Sequence, residues 1–219
     1  MKKNSFSPWN AENSFYHLSD VTRIAKLIYQ YEIYKMIKNI PGDIVEFGVF
    51  KGSSLIKLMT FREILENSSS RKFYAFDAFG KFPRSKTKKF DKEFINKFEK
   101  DAGDGLQIKK LEKILLKKGF KNFELIKGDI NFTALNFLKK NNSLKIALLH
   151  LDLDTYFVTK KILNKFYDNV VKKGIILIDD YNVSEGVTKA IDEFLKANKK
   201  DTQLRKLSYY KQPSYIIKN

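Results

Sequence analysis

Five times along this chain a short apolar run gives way to a stretch with helical spacing, and at or just past the end of each run stands a carboxylate. The runs are Ile44–Phe47, Lys72–Phe76, Glu124–Lys127, Lys145–Leu151 and Gly174–Ile178. Helical patterns follow at Ser53–Leu65, Leu106–Gly119, Thr133–Lys140, Thr159–Val171 and Gly186–Ala197. Apolar strands that alternate with amphipathic helices predict a parallel sheet covered on both faces. The fold expected is therefore α/β, Rossmann-like and doubly wound, with residues 1–219 as one domain. A further helix is predicted over Ser19–Asn39, where Ser19 and Asp20 can cap it. Residues 1–12 show no periodicity and are expected to be a loose arm. The closing stretches Leu204–Tyr210 and Tyr215–Ile217 have no helix between them, which predicts an antiparallel hairpin at the sheet's edge.

One segment breaks the alternation. Gly80–Asp104 is dense in Lys and Phe, is interrupted by Gly and Pro, and carries a short helical pattern at Phe90–Phe98. It reads as a helical lid inserted after the second strand.

Composition excludes several chemistries. With no cysteine among 219 residues there are no disulfides, thiolate nucleophiles or Cys-ligated metals, which fits a cytoplasmic protein. Met1-Lys2-Lys3-Asn4 has the charge of a signal peptide, but no apolar run follows it. The longest apolar stretches are too short for a transmembrane segment. The formal net charge of +17 raises the question of nucleic acid. The lysines are spread over helical stretches with an apolar partner face, so they are expected to form a solvated surface. A nucleic-acid methyltransferase and a non-catalytic cofactor-binding protein remain the alternatives to the enzyme described next.

In an open α/β sheet, ligands bind beyond the carboxyl ends of the strands. Those ends carry Glu46-Phe47-Gly48, Asp77, Gly128-Asp129, Asp152-Leu153-Asp154 and Asp179-Asp180. One such acid is ordinarily a helix cap or a turn former. Five along one edge suggest a site. No G-x-G-x-x-G and no phosphate-gripping loop is present. An acidic rim suits a cofactor with ribose hydroxyls and a positive charge, which favours S-adenosylmethionine. Asp77 stands where an acid chelates a ribose, and Asp129 is placed to accept from an exocyclic amine. Glu46, inside a strand, needs donors, and the backbone amides of the Gly48–Gly52 loop are expected to supply them. Gly48 and Gly52 are expected to let the backbone approach the cofactor. The candidate cofactor set is Glu46, Gly48, Gly52, Ser53, Asp77, Gly128 and Asp129. Asp152, Asp154, Asp179 and Asp180 form a second group. Carboxylates so gathered repel one another unless a cation joins them, and all-oxygen ligands suit Mg²⁺. Asp152, Asp179 and Asp180 are the expected ligands. Asp154 is the expected base, with an exchange of roles between Asp152 and Asp154 left open. His150 is expected to be a core histidine. His17, Tyr156 and Tyr181 are weaker candidates for acceptor contacts.

Through "PGDIVEFGVFKGSS", "FYAFDAFGKFP", "ELIKGDI", "LLHLDLDTYFVTKKIL" and "GIILIDDYNVSEGVTKAIDEF" the chain resembles the sugar O-methyltransferases of the macrocin, mycinamicin and novobiocin type. The resemblance covers about Ser19 to Leu195. It implies a seven-stranded class I methyltransferase sheet with an antiparallel last strand, and a cofactor loop shaped by Glu46, Gly48 and Gly52. It implies that Asp77 holds the ribose, and that a divalent ion lies between the aspartates and the vicinal hydroxyls of a sugar. Members of that family are often homo-oligomers. Where the family often has Thr-Leu-Pro after the third strand, this chain has Thr133-Ala134-Leu135.

Overall fold

The computed structural model describes residues 7–84, 87–198 and 202–219. The chain runs α1 (Pro8–Leu18), α2 (Val21–Ile37), β1 (Asp43–Phe47), α3 (Ser53–Leu65), β2 (Phe73–Asp77), α4 (Lys89–Ala102), α5 (Ile108–Lys117) and β3 (Phe123–Lys127). It continues through α6 (Ile130–Lys140), β4 (Ile146–Leu151), α7 (Tyr156–Phe166), β5 (Val170–Ile178), α8 (Glu185–Ala197), β6 (Leu204–Arg205) and β7 (Ser214–Ile217). The seven strands form one sheet in the order β3-β2-β1-β4-β5-β7-β6. The first five strands are parallel, β7 is antiparallel to β5, and β6 is antiparallel to β7. The order reverses between β1 and β4, where a doubly wound sheet opens a crevice beyond its carboxyl ends.

Strand alternation sends successive side chains to opposite layers. On one face Ile44 packs with Tyr29 and Ile33 of α2, Leu55 and Leu58 of α3, and Leu111 of α5. On the other, Val45 and Phe47 pack with Phe137 of α6, Phe166 of α7 and Ile191 of α8. Glu46 therefore points with Ile44 toward the α2–α3 layer. Its register partner on β4 is His150, which alternates with Leu149 and Leu151 of the opposite face.

Several boundaries differ from the sequence reading. The expected loose arm is a helix from Pro8 onward, while residues 1–6 lie outside the described residues. Capping builds it rather than apolar periodicity: Ser7 Oγ accepts from Asn10 N–H, and proline occupies the first turn. None of its residues is buried, so the apolar pattern carried no signal. Helix α6 begins at Ile130 because Asp129 Oδ1 caps it by accepting from Asn131 N–H. Strand β5 begins earlier than expected, at Val170, and β6 is only two residues long. The insertion holds α4, with Asp91 and Ile95 buried. Asp91 accepts from the backbone of Lys88 and Tyr156, which pins this end of α4 against α7. Residues 85 and 86 of the insertion lie outside the described residues. Among the described residues no helix is long and apolar enough to cross a membrane.

Candidate active site

A cavity of about 950 Å³ lies at the carboxyl ends of the central strands. The glycine loop borders it with Gly48, Phe50 and Ser53, and the next two strand ends with Asp77 and Asp129. Asp152, Asp154, Asp179 and Asp180 reach it from β4 and β5, and Arg23 and Lys26 from α2. The insertion covers it with Phe82, Phe94 and Phe98. Phe98 is the centre of an aromatic cluster, with ring centroids 5.1 Å from Phe50 and 6.1 Å from Phe94. Two lining residues that are not glycine adopt left-handed backbone, Phe50 at φ 51° and Asp154 at φ 59°. Such conformations cost energy and persist where the surrounding structure holds them.

The acid at the end of β2 ties two loops. Asp77 Oδ2 accepts from the N–H groups of Val49 and Phe50 at 2.8 and 2.9 Å, and Oδ1 from Phe79 N–H at 2.6 Å. The loop amides expected on Glu46 thus belong to Asp77. Glu46 does not line the cavity. It is 1% exposed behind it, with Oε1 3.3 Å from His150 Nδ1. His150, expected as a plain core residue, sits between two carboxylates, its Nε2 3.9 Å from Asp179 Oδ1. Burial opposes its positive charge, but Asp179 and Glu46 outweigh that and raise its pKa to about 10.

The glycines answer to the protein itself. A Cβ at Gly48 would stand 1.6 Å from the carbonyl oxygen of Asp152, and one at Gly52 would stand 2.5 Å from Leu111 Cδ1. Their φ angles are +90° and +83°. Gly52 and Gly128 do not line the cavity. Gly128 turns the chain at φ +138°, close under Thr133. Of the expected cofactor set, Gly48, Ser53, Asp77 and Asp129 face the cavity.

All four remaining aspartates converge. Ligand atoms of Asp152, Asp154 and Asp180 lie within 4.8 Å of one another, as do those of His150, Asp152 and Asp179. Asp152 is common to both groups. Burial raises the pKa of Asp152, and Asp179 and Asp180 add repulsion. Burial and Asp152 push Asp154 up to about 8, and burial with Asp154 and Asp179 raises Asp180. Asp179 differs. Burial works against its ionisation, but Lys26 and His150 prevail and hold it below the usual carboxylate range. Lys26 Nζ lies 2.5 Å from Asp179 Oδ2. Lys57, also lining the cavity, is pulled down to about 8 by burial and by Lys26.

The sequence reading missed Lys26, Lys57 and Arg23 as site residues, and the aromatic contact between α4 and the glycine loop. His17 does not line the cavity. Nor do Tyr156 and Tyr181, whose hydroxyls donate to Glu193 and Asp192 of α8.

A model of the macrocin-O-methyltransferase (TylF) family matches residues 21–211. Demethyldecarbamoylnovobiocin O-methyltransferase of Streptomyces niveus is 26% identical over 168 residues, 71% of this chain. The match spans 59% of that protein's length, less than two thirds of it. Among solved structures, the calicheamicin methyltransferase CalS11 superposes with a TM-score of 0.73 at 22% identity, covering 96% of this chain and 86% of its own. The O-methyltransferase NovP gives 0.75 at 18% identity, covering 89% and 79%. At these identities the two structures establish likeness of fold.

Proposed function

The chain belongs to the macrocin-O-methyltransferase family, and on that premise we propose that it transfers a methyl group from S-adenosylmethionine to a hydroxyl of a sugar. The observation that carries this reading is the convergence of four aspartates from two neighbouring strand ends, beside the glycine loop, in one cavity. Its 950 Å³ suits a cofactor and part of an acceptor together. The cofactor's place is along Gly48–Ser53, with Asp77 and Asp129 beside it. The acceptor's place is between the aspartates and the Phe94–Phe98 face of α4, which acts as the lid and excludes water.

The aspartate cluster fits a divalent ion. Its donors are oxygens, Asp154 is buried and the other three are partly so, and burial together with mutual repulsion raises three of the four pKa values. Asp179 Oδ1 and Asp180 Oδ2 accept no hydrogen bond among the described residues. Asp152 and Asp180 would hold the ion, and the second oxygen of Asp179, which is grouped with Asp152 and His150, would reach it from the side of Asp152. Bound there, it would acidify the acceptor hydroxyl. Asp154, whose carboxyl lies in one group with those of Asp152 and Asp180, takes the proton. The rest of the protein's task is alignment of oxygen, methyl carbon and sulfur.

Calorimetry of the full chain with S-adenosylmethionine, followed by turnover against a panel of free, nucleotide-linked and glycosidic sugars, tests the proposal. Cofactor binding with methylation of a sugar hydroxyl is the expected result. Failure to bind the cofactor sinks it.

A further inference from the structure

Asp179 is already engaged by a cation of the protein. Lys26 reaches it from α2 across 153 residues of sequence, with Nζ 2.5 Å from Oδ2. The two side chains retain 21% and 11% of their exposure, so water screens the pair poorly. The same ammonium is close enough to Asp152 and Asp180 to be held charged by both, against its burial. Its helical neighbours Arg23 and Leu27 line the same cavity. One positive charge of the chain therefore stands among the carboxylates that would receive a divalent ion.

Resting on the reading of that cluster as a divalent-ion seat, we propose that Lys26 is a built-in counter-cation that competes with the ion for Asp179 and so sets how tightly the seat is loaded. Two cations on one carboxylate repel, and at a few ångströms in a partly dry site the repulsion is large. Lysine suits the part because its ammonium rides on four rotatable bonds and can withdraw toward the cavity mouth. Without the ion, Lys26 prevents Asp179 from adding its charge to the repulsion among Asp152, Asp154 and Asp180. With the ion, its contact with Asp179 weakens.

Calorimetric titration of Mg²⁺ into the full chain and into Lys26→Met, Lys26→Gln and Lys26→Arg tests this. Removing the charge should tighten Mg²⁺ binding by roughly tenfold or more, the scale of one close charge. Lys26→Arg should stay near the parent. Asp179→Asn should abolish the gain when combined with Lys26→Gln, since the contested carboxylate is gone. Thermal melts give a second reading: Mg²⁺ should raise the melting temperature of Lys26→Gln more than that of the parent. Lys26→Gln stands in if Lys26→Met does not fold. Equal or weaker Mg²⁺ binding by the uncharged variants overturns the proposal, because Lys26 would then be orienting Asp179 for the ion. Absence of Mg²⁺ binding in every chain overturns the divalent-ion reading itself.

Discussion

Gly48→Ala separates two explanations of the glycine loop. If glycine is there only to admit a cofactor, alanine leaves the empty protein as stable as the parent and costs affinity alone. The geometry says otherwise. The new Cβ would stand 1.6 Å from the Asp152 carbonyl oxygen, whereas ordinary contact begins at 3.4 Å. Roughly 1.8 Å of separation must come from the backbone of the glycine loop or of Asp152. The residue must also hold φ +90°, at a cost of about 1–3 kcal/mol for a residue with a side chain. The backbone being displaced is that of Asp152, common to both candidate ligand groups. A displacement of about 1 Å at reacting groups costs on the order of 100-fold in rate. The expected outcome is a chain destabilised by at least about 2 kcal/mol in urea unfolding without cofactor, with turnover down about 100-fold or more. Gly52→Ala is the control. Its Cβ would meet the end of the Leu111 side chain, which can move, so it should lose only the roughly 1–2 kcal/mol of its left-handed backbone and keep most of its turnover. Parental urea stability in cofactor-free Gly48→Ala would refute the reasoning.

Three further outcomes are expected. Asp77→Ala releases the N–H groups of Val49, Phe50 and Phe79, and calorimetry should show S-adenosylmethionine binding weakened by about 1.5–3 kcal/mol; parental affinity would remove Asp77 from the cofactor site. Arg71→Met should cost about 3–5 kcal/mol in urea unfolding, because buried Arg71 bridges half-buried Glu66 to the carbonyls of Ile37, Lys38, Ile40 and Gly42; a loss below about 1 kcal/mol would contradict that. EDTA should abolish turnover and added Mg²⁺ restore it, while Asp154→Asn should lower kcat with Mg²⁺ affinity largely kept; full turnover in EDTA would end the divalent-ion reading.

Much of the fold was legible because its signals are local. An apolar run, a turn and a helical period each show within a dozen residues, and a parallel sheet brings the ends of all such runs to one edge. What was not legible depends on pairings distant in sequence. Glu46 meets His150 because the β1–β4 register places them side by side. Nothing near Glu46 in sequence announces that partner. Lys26 is one of 42 basic residues and is distinguished only by the packing of α2 over the end of β5. Helix α1 lacked any apolar pattern, but its Ser7-Pro8 start was a readable cap.

The strand-end acids show how one sequence signal divides into two physical classes. Asp77 and Asp129 each accept from a backbone N–H of their own turn, and Asp77 also from Val49 and Phe50 of the neighbouring glycine loop, the ordinary work of an acid at such a position. Asp179 and Asp180 have buried oxygens that no backbone group satisfies. Asp152 and Asp180 are held up in pKa by burial and by their acidic neighbours. A buried carboxylate oxygen without a donor is costly, and two such oxygens among four converging carboxylates are more than a turn requires. The first class needs no ligand to account for it. For the second, Lys26 and His150 pair directly with Asp179 alone among the four, and the Lys26 charge eases the other three only from a distance, so the charge still lacking around Asp152, Asp154 and Asp180 is what a divalent ion would provide.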